Sequence, residues 1–347
     1  MSGCPARYDE ELGYWVVDNP AEAREVLLDP ATFRPDNAVL AHTPLSVKAL
    51  RVLSAVGFAL PPTLANNAGE SHRSIRAAVA RFFSPARVAA VEPLARELTA
   101  ARVAAATRAL AAGEHVDLVQ AVAAEPPALV VLEMLGLADV DVPALKAWSL
   151  DSLELFWGWP DEDRQLELAH SAAEFYGWLR KRVVQATEDD LFGVLVGLGL
   201  TDEEVCAVAY FLLIAGQETT TQLISTAFHR TIGRRSADGV EEVLREASSV
   251  PTWRRVTSRP AVIGDVEVPA GVPVLLGLTG HGGPADLAFG IGIHRCLGAG
   301  LARLEARVAL ECAADLLATV SLVEEPPMIE LLSFRAPKRL LVGLQPG

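Results

Sequence analysis

The chain has 347 residues, 51% of them hydrophobic, and a formal net charge of −14. A chain of this length and apolar content can bury a large core as one domain or two, and its acidity argues against nucleic acid as the main partner. Four cysteines (Cys4, Cys206, Cys296, Cys312) with no C-x-x-C pair rule out a disulfide scaffold, and with neither a signal-peptide pattern nor an apolar run of about eighteen residues, a cytoplasmic protein without a membrane span is expected.

Tyr14–Val17 reads as a short strand after the turn Glu11-Leu-Gly13, and Pro20–Leu28 as a helix that Asp29-Pro30 stops. Residues 44–60 mix helical and loop features. Helices are expected over 71–83, ended by Ser84-Pro85, then over 85–112 and 117–137; all are rich in alanine, the best helix former. Residues 140–155 and 161–187 read as two more, joined through Trp157-Gly-Trp-Pro160. Thr201-Asp-Glu-Glu204 is a capping box that opens a helix running to about Gly233. That helix is apolar on more than one face, which predicts burial in the middle of the fold. A short helix follows at Val240–Ala247, then an extended segment over 251–255. Gly264-Asp265 between Ala261–Ile263 and Val266–Val268 signals a two-residue hairpin, and 272–278 adds a strand. The last long helix follows Cys296 and ends near Thr319, with apolar residues at 297, 301, 304, 308 and 316 on one face; 338–344 is a final strand. The expected class is mostly α with a small β component, one domain over 1–347.

Three stretches carry chemistry. Phe289-Gly-Ile-Gly-Ile-His294-Arg-Cys296-Leu-Gly298 sets one cysteine among glycines just ahead of a helix. Glycines let backbone approach a flat cofactor where a side chain would collide. A helix N-terminus with cations nearby lowers a thiol's pKa towards thiolate, and thiolate ligation of haem iron favours O–O cleavage. Ala215-Gly216-Gln217-Glu218-Thr219-Thr220 lies inside the long helix, where glycine costs about 1 kcal/mol relative to alanine. Its threonines can bond the carbonyl four residues back, so a groove or kink is expected. Glu242-Val-Leu-Arg245 puts opposite charges on one helical face; alone, such a pair is usually solvated.

In this order, these stretches resemble the cytochrome P-450 family of haem-thiolate monooxygenases, in its soluble bacterial form. The resemblance runs from about Tyr14 to Leu344. It is carried most specifically by Phe289, Gly290, Gly292, His294, Cys296 and Gly298, followed by Gly300-Leu-Ala-Arg303. It implies haem b held between the long central helix and the cysteine-loop helix. Cys296 would be the axial thiolate ligand, with Phe289, Gly290, Gly298 and Ala215 among the cofactor contacts. Gly216 would make room for dioxygen, and Glu218 and Thr219 would be the acid–alcohol pair that delivers protons to it. His72 and Arg76, one helical turn apart, are implied partners of the haem propionates, together with His294 and Arg255; Arg254 is an alternative that sequence does not separate from Arg255. Glu242 and Arg245 would form a buried pair beneath the haem that fixes the cysteine loop. Substrate contacts are implied for 53–60, 156–159, Ala215, Thr252-Trp253 and 331–334. The implied activity is oxidation of a small organic molecule, a secondary-metabolite intermediate, with dioxygen and electrons from ferredoxin and ferredoxin reductase.

The chain departs from the family pattern in three places. Almost nothing precedes the strand at Tyr14, where the family has a further helix. Residues 234–241 are too few for the extra helix usual there. Thr279-Gly-His-Gly-Gly-Pro-Ala-Asp-Leu-Ala288 stands in for a longer meander with an Asn-Arg-Asp-Pro-like and a Phe/Arg-bearing stretch. That meander lies on the thiolate side, where redox partners dock. Its loss opens two alternatives: a haem-thiolate enzyme that needs no reductant (peroxide use, rearrangement or dehydration), or a non-catalytic helper of another biosynthetic enzyme. A helper would be expected to lack the cysteine, and Cys296 is present. A haem sensor or carrier would leave the Glu218–Thr219 pair without a role.

Overall fold

The computed structural model describes residues 5–233 and 239–345; Cys4 and most of the short 234–241 connection lie outside them. Strands β1 (Arg7–Asp9) and β2 (Tyr14–Val17) lead into α1 (Pro20–Leu28). Asn19 caps α1 by accepting from Ala21 N, and proline fits its first turn. Then come β3 (Phe33–Arg34), α2 (Val47–Ala55) and α3 (Ser71–Ala80), which tightens into a 3₁₀ turn over Arg81–Phe83. The helix expected over 85–112 is two, α4 (Pro85–Ala90) and α5 (Glu92–Ala111), because Pro93 has no N–H to extend a helix and takes the first turn of a new one. In the same way Pro126-Pro127 fits only the first turn of α6 (Glu125–Met134). Ahead of it lie β4 (Val116–Asp117) and a π-turn over Val119–Ala123.

Aspartates 141 and 161 cap α7 (Val142–Trp157) and α8 (Glu162–Val184). Helix α9 (Leu191–Gly197) was not legible in the sequence; seven residues are too few to show a period. The Thr201–Glu204 capping box opens α10 (Asp202–Thr231), and α11 (Val240–Ala247) follows. Next are β5 (Thr252–Thr257), β6 (Ala261–Ile263), β7 (Val266–Val268) and β8 (Pro273–Gly277), with β6 and β7 forming the expected hairpin. After α12 (Ala299–Thr319) come β9 (Val320–Leu322), β10 (Met328–Glu330), β11 (Arg335–Pro337) and β12 (Leu341–Leu344). The last strand is therefore shorter than expected, and three-residue strands precede it that are too short to show alternation.

Helix predominates, with small sheets, as the residue pattern implied. The largest sheet has the order β1-β2-β8-β5-β3, with β2 and β8 parallel. Its register matters for the site: β5 pairs antiparallel with β8, and strand alternation sends Trp253 and Arg255 to one face and Arg254 to the other. Helix α10 is buried along most of its length and packs against α6, α7, α8 and α12. Among the described residues no helix is long and apolar enough to cross a membrane.

The α6–α10 crossing explains one glycine. A Cβ on Gly216 would lie 2.9 Å from Cγ2 of Val131 on α6. Gly216→Ala gains about 1 kcal/mol of helix propensity but forces Val131 aside at about 1–3 kcal/mol. A net loss of stability is expected in urea unfolding, and it should shrink or vanish in a Val131→Ala background.

Candidate functional site

A cavity of about 230 Å³ lies inside the fold. Helix α10 supplies one wall through Ala215, Gly216, Thr219 and Thr220, and the cysteine loop supplies another through Phe289, Gly290, Cys296 and Gly298. Of the residues expected to touch haem or to deliver protons (His72, Arg76, Ala215, Gly216, Glu218, Thr219, Arg255, Phe289, Gly290, His294, Cys296 and Gly298), all line it except Glu218. The Gly216 Cβ direction points at α6, so the room this glycine makes falls on the Val131 side.

The cysteine loop is built from two 3₁₀ turns, Ala285–Phe289 and Gly292–His294. Gly290 (φ +64) and Gly292 (φ +74) occupy the left-handed region that glycine takes without strain. Cys296 N–H donates to Phe289 O at 2.9 Å and closes the loop. The exposed surface of Cys296 faces the cavity. Burial pushes its thiol up, while the Gly298 N–H and the charges of Arg76, Arg295 and Arg303 pull it down; the net direction is up. This reverses the sequence expectation of a lowered pKa, because desolvation outweighs the cations. A thiolate here needs a further positive charge at sulfur, which a bound metal supplies.

Arg303 ties the loop together. Its guanidinium lies 4.6 Å from the Phe289 ring centroid and pairs with Glu241 of α11 (2.6 Å) and Asp286 (2.7 Å). The Glu242–Arg245 pair also forms, at 2.6 Å, but each side chain is 40% exposed. The expectation of a buried pair is corrected: Glu242 and Arg245 lie on a face of α11 that the structure leaves open to solvent, although the connection after β8 touches α11 where Gly280 N–H donates to Arg245 O.

Five basic residues line the cavity: His72 and Arg76 of α3, Arg255 of β5, His294 and Arg295. Arg295 pairs with Asp286 at 3.6 Å; among the described residues the other four have no carboxylate partner, and burial lowers the pKa of both histidines, which favours their neutral form. Arg255 is only 1% exposed, donates to Arg254 O at 2.7 Å, and is pulled down to about 10 by burial. His294 Nε2 lies 2.8 Å from Asn67 O, and burial lowers its pKa to about 4. Its Nδ1 and the Nε2 of His72 are buried without partners, the two rings 4.9 Å apart. Arg76 donates to Arg295 O at 2.5 Å. Arg254 instead turns to the opposite face, where Ala38 O and Leu40 O accept from it. The geometry therefore favours Arg255 over Arg254 as the cavity cation.

This donor set fits haem. Buried cations without counter-charge are costly; two propionate carboxylates would answer Arg76 and Arg255, and the ring nitrogens of His72 and His294 would serve as hydrogen-bond partners. Among the described residues no cluster of three metal-ligating side chains exists; a lone sulfur suits an iron whose other ligands come from its macrocycle.

Glu218 points elsewhere. Lys146 of α7 holds it at 2.5 Å and also donates to Gln217 Oε1 (2.9 Å) and Thr221 Oγ1 (3.0 Å). Thr219 faces the cavity, its hydroxyl donating to Ala215 O at 2.6 Å. Of the expected substrate segments, Trp157, Ala215, Trp253 and Phe334 line the cavity, while Leu60 and Phe156 line a small adjoining pocket. Residues 53–59, 158–159, 252 and 331–333 line neither. Sequence reasoning missed Phe83, Phe211, Ser249 and Lys146. Phe211 sits one turn before Ala215 on the same helical face, a signal that was available; the others reach the site only through tertiary packing.

No protein-family profile matches the chain. It is 30% identical to the erythromycin C-12 hydroxylase of Saccharopolyspora erythraea, over 88% of this chain and 82% of that protein. It is 32% identical to the cytochrome P-450 monooxygenase PikC of Streptomyces venezuelae, over 88% and 80%. Among solved structures, that of cytochrome P-450 CREJ in complex with (4-ethylphenyl) dihydrogen phosphate superimposes with a TM-score of 0.87 at 29% identity, covering 98% of this chain and 94% of that one.

The uncompensated charge at Arg255 gives effects of opposite sign. Arg255→Met is expected to stabilise haem-free protein by about 1–4 kcal/mol in urea unfolding, yet to speed haem loss to a scavenging protein. Faster loss without the stability gain would mean that Arg255 is already compensated before haem binds.

Proposed function

The chain belongs to the cytochrome P-450 family, a family of oxidoreductases, and on that premise we propose that it is a haem b-dependent monooxygenase of a small organic molecule, an intermediate of secondary metabolism. The observation that carries this reading is a single cavity that joins the Cys296 thiol, two arginines and two histidines that have no carboxylate partner among the described residues, and the Thr219 hydroxyl. The free thiols Cys206, Cys296 and Cys312 suit a reducing cytoplasm.

Bound haem supplies the redox chemistry of dioxygen activation. The chain's own residues do the rest. Cys296 would ligate the haem iron, with its loop held by Arg303. Arg76, Arg255, His72 and His294 would hold the propionates. Thr219 Oγ1 is the last protein atom on a proton route into the cavity. Behind it, Glu218 is almost fully buried and Lys146 only slightly exposed. For Glu218 to pass a proton to Thr219, its carboxylate must leave Lys146 and turn towards the cavity; Lys146 then holds the route closed between turnovers. Electrons come from a ferredoxin with its reductase, which meet a thiolate-side surface shaped by the short connection after β8. The helper reading has no support in a site that retains its cysteine.

The carbon monoxide complex of the reduced protein tests the assignment. A red-shifted, thiolate-type Soret band is expected in the wild type and its loss in Cys296→Ser. Thr219→Ala should keep that band while product formed per dioxygen consumed falls about tenfold or more; unchanged coupling would remove Thr219 from the route. Product formation that is independent of added ferredoxin and reductase would replace the monooxygenase reading with the reductant-independent one.

A further inference from the structure

Three residues that line the cavity carry a buried side-chain nitrogen without a partner among the described residues. Two are His72 Nε2 and His294 Nδ1, which sit with the arginines already assigned to the haem carboxylates. The third is the indole N–H of Trp157, a residue 3% exposed. A buried donor left unpaired is unfavourable; at a cavity wall, the missing acceptor can come from the molecule the cavity takes up.

Trp157 is fixed in place from behind. It ends α7, its carbonyl accepts from Leu332 N at 2.9 Å, and the Arg254 guanidinium lies 5.2 Å from its ring centroid. Ala38 O and Leu40 O hold that guanidinium in turn. Two more aromatic rings of the cavity wall flank Trp157: Trp253 at 6.4 Å with an interplanar angle of 31°, and Phe334 at 5.2 Å, edge-on. The cavity lining also includes the apolar side chains Leu153, Phe211 and Leu212. Among the described residues no aspartate, glutamate or lysine lines the cavity. A cationic ligand would therefore find no counter-charge and would lie on the far side of Trp157 from a buried arginine. A flat π-system, by contrast, can make offset or edge-to-face contacts with three rings already in position.

We propose that the substrate is a neutral, flat aromatic molecule carrying an acceptor oxygen, seated against the Trp157–Trp253–Phe334 wall with that oxygen on Trp157 Nε1. This rests on the haem reading, which reserves His72, Arg76, Arg255 and His294 for the propionates. Trp157 is then a substrate-anchoring and specificity-determining residue.

Calorimetric titration of the haem-loaded protein with three matched probes separates the two contributions. They are 2-ethyldecalin, 2-ethylnaphthalene and 2-acetylnaphthalene. If apolar burial alone decided, the saturated decalin would bind at least as tightly as the naphthalene. We expect 2-ethylnaphthalene to bind about threefold to tenfold tighter than 2-ethyldecalin. 2-Acetylnaphthalene should bind about threefold to tenfold tighter again. Trp157→Phe should erase the second preference and keep the first, and a naphthalene bearing a dimethylammoniomethyl group should bind more weakly than 2-ethylnaphthalene. Equal or tighter binding of the decalin, no binding of any probe, or an acetyl preference that survives in Trp157→Phe would overturn the proposal. The wild-type comparison needs no variant to fold. The reduced carbon monoxide spectrum of the same sample reports on haem ligation separately, so failure of the haem reading and failure of the aromatic site are distinguishable.

Discussion

The site is organised around positive charge buried without negative charge beside it. Arg255 is the extreme case: almost wholly enclosed, bonded to a backbone carbonyl, and without a carboxylate partner among the described residues. Such a group destabilises the fold that encloses it, so what surrounds it must be held by other means. The β5–β8 pairing fixes the register that turns Arg255 inward, and Asn37 Nδ2 donates to its carbonyl at 2.8 Å. The helical spacing of α3 brings His72 and Arg76 to the same side, and Asn67 O fixes the His294 ring. The scaffold stores electrostatic cost at one end of the cavity. A ligand with two carboxylates relieves that cost only in the folded state, so its binding adds to folding stability by linkage.

The cysteine loop shows a second way of holding an expensive geometry. The connection from β8 into the loop is short, and the Glu242–Arg245 pair remains open to solvent. Arg303 takes over as the hub: one guanidinium joins α12 to α11 through Glu241, to the turn before the loop through Asp286, and to the Phe289 ring. Exposed ion pairs contribute little singly. A planar guanidinium that stacks and bonds at once is more demanding geometrically, and lysine would not replace it. In an acidic chain, the cations near the thiol thus do two jobs, bracing the loop and tempering the rise in the thiol's pKa.

How far sequence reached follows from the range of the forces involved. The bounds of α1, α11 and the β6–β7 hairpin were legible because caps, prolines and turn glycines act over a few residues. Pro93 and Pro126-Pro127 carried the same kind of local signal, and their breaks could have been read. The three-residue strands β9–β11 and the short α9 hold too few residues for periodicity to speak. In the site, the residues expected to hold haem were legible through spaced motifs, and the structure brings them to one cavity. What failed were statements about environment. The thiol pKa took the opposite direction because burial is a property of the whole fold, and the Glu242–Arg245 pair proved half-exposed for the same reason. Lys146, which lies 72 positions from Glu218 in the chain, left no trace that sequence could show.

The Glu218–Thr219 pair illustrates what adjacency in a helix means. Neighbouring residues project about 100° apart around the axis, so two residues read as partners from their order face different surroundings. Here Thr219 faces the cavity and Glu218 faces α7, where Lys146, Gln217, Ser149 and Thr221 form a connected polar group. Helix α10 is therefore a partition: cavity on one face, a charged network with an outlet towards solvent on the other. A proton that crosses it must travel round the helix rather than along it, and the side-chain rotation this requires competes with a short, nearly dry ion pair. On the proposed proton route, the strength of that pair, more than the presence of an acid next to an alcohol, would set how readily the cavity exchanges protons with water.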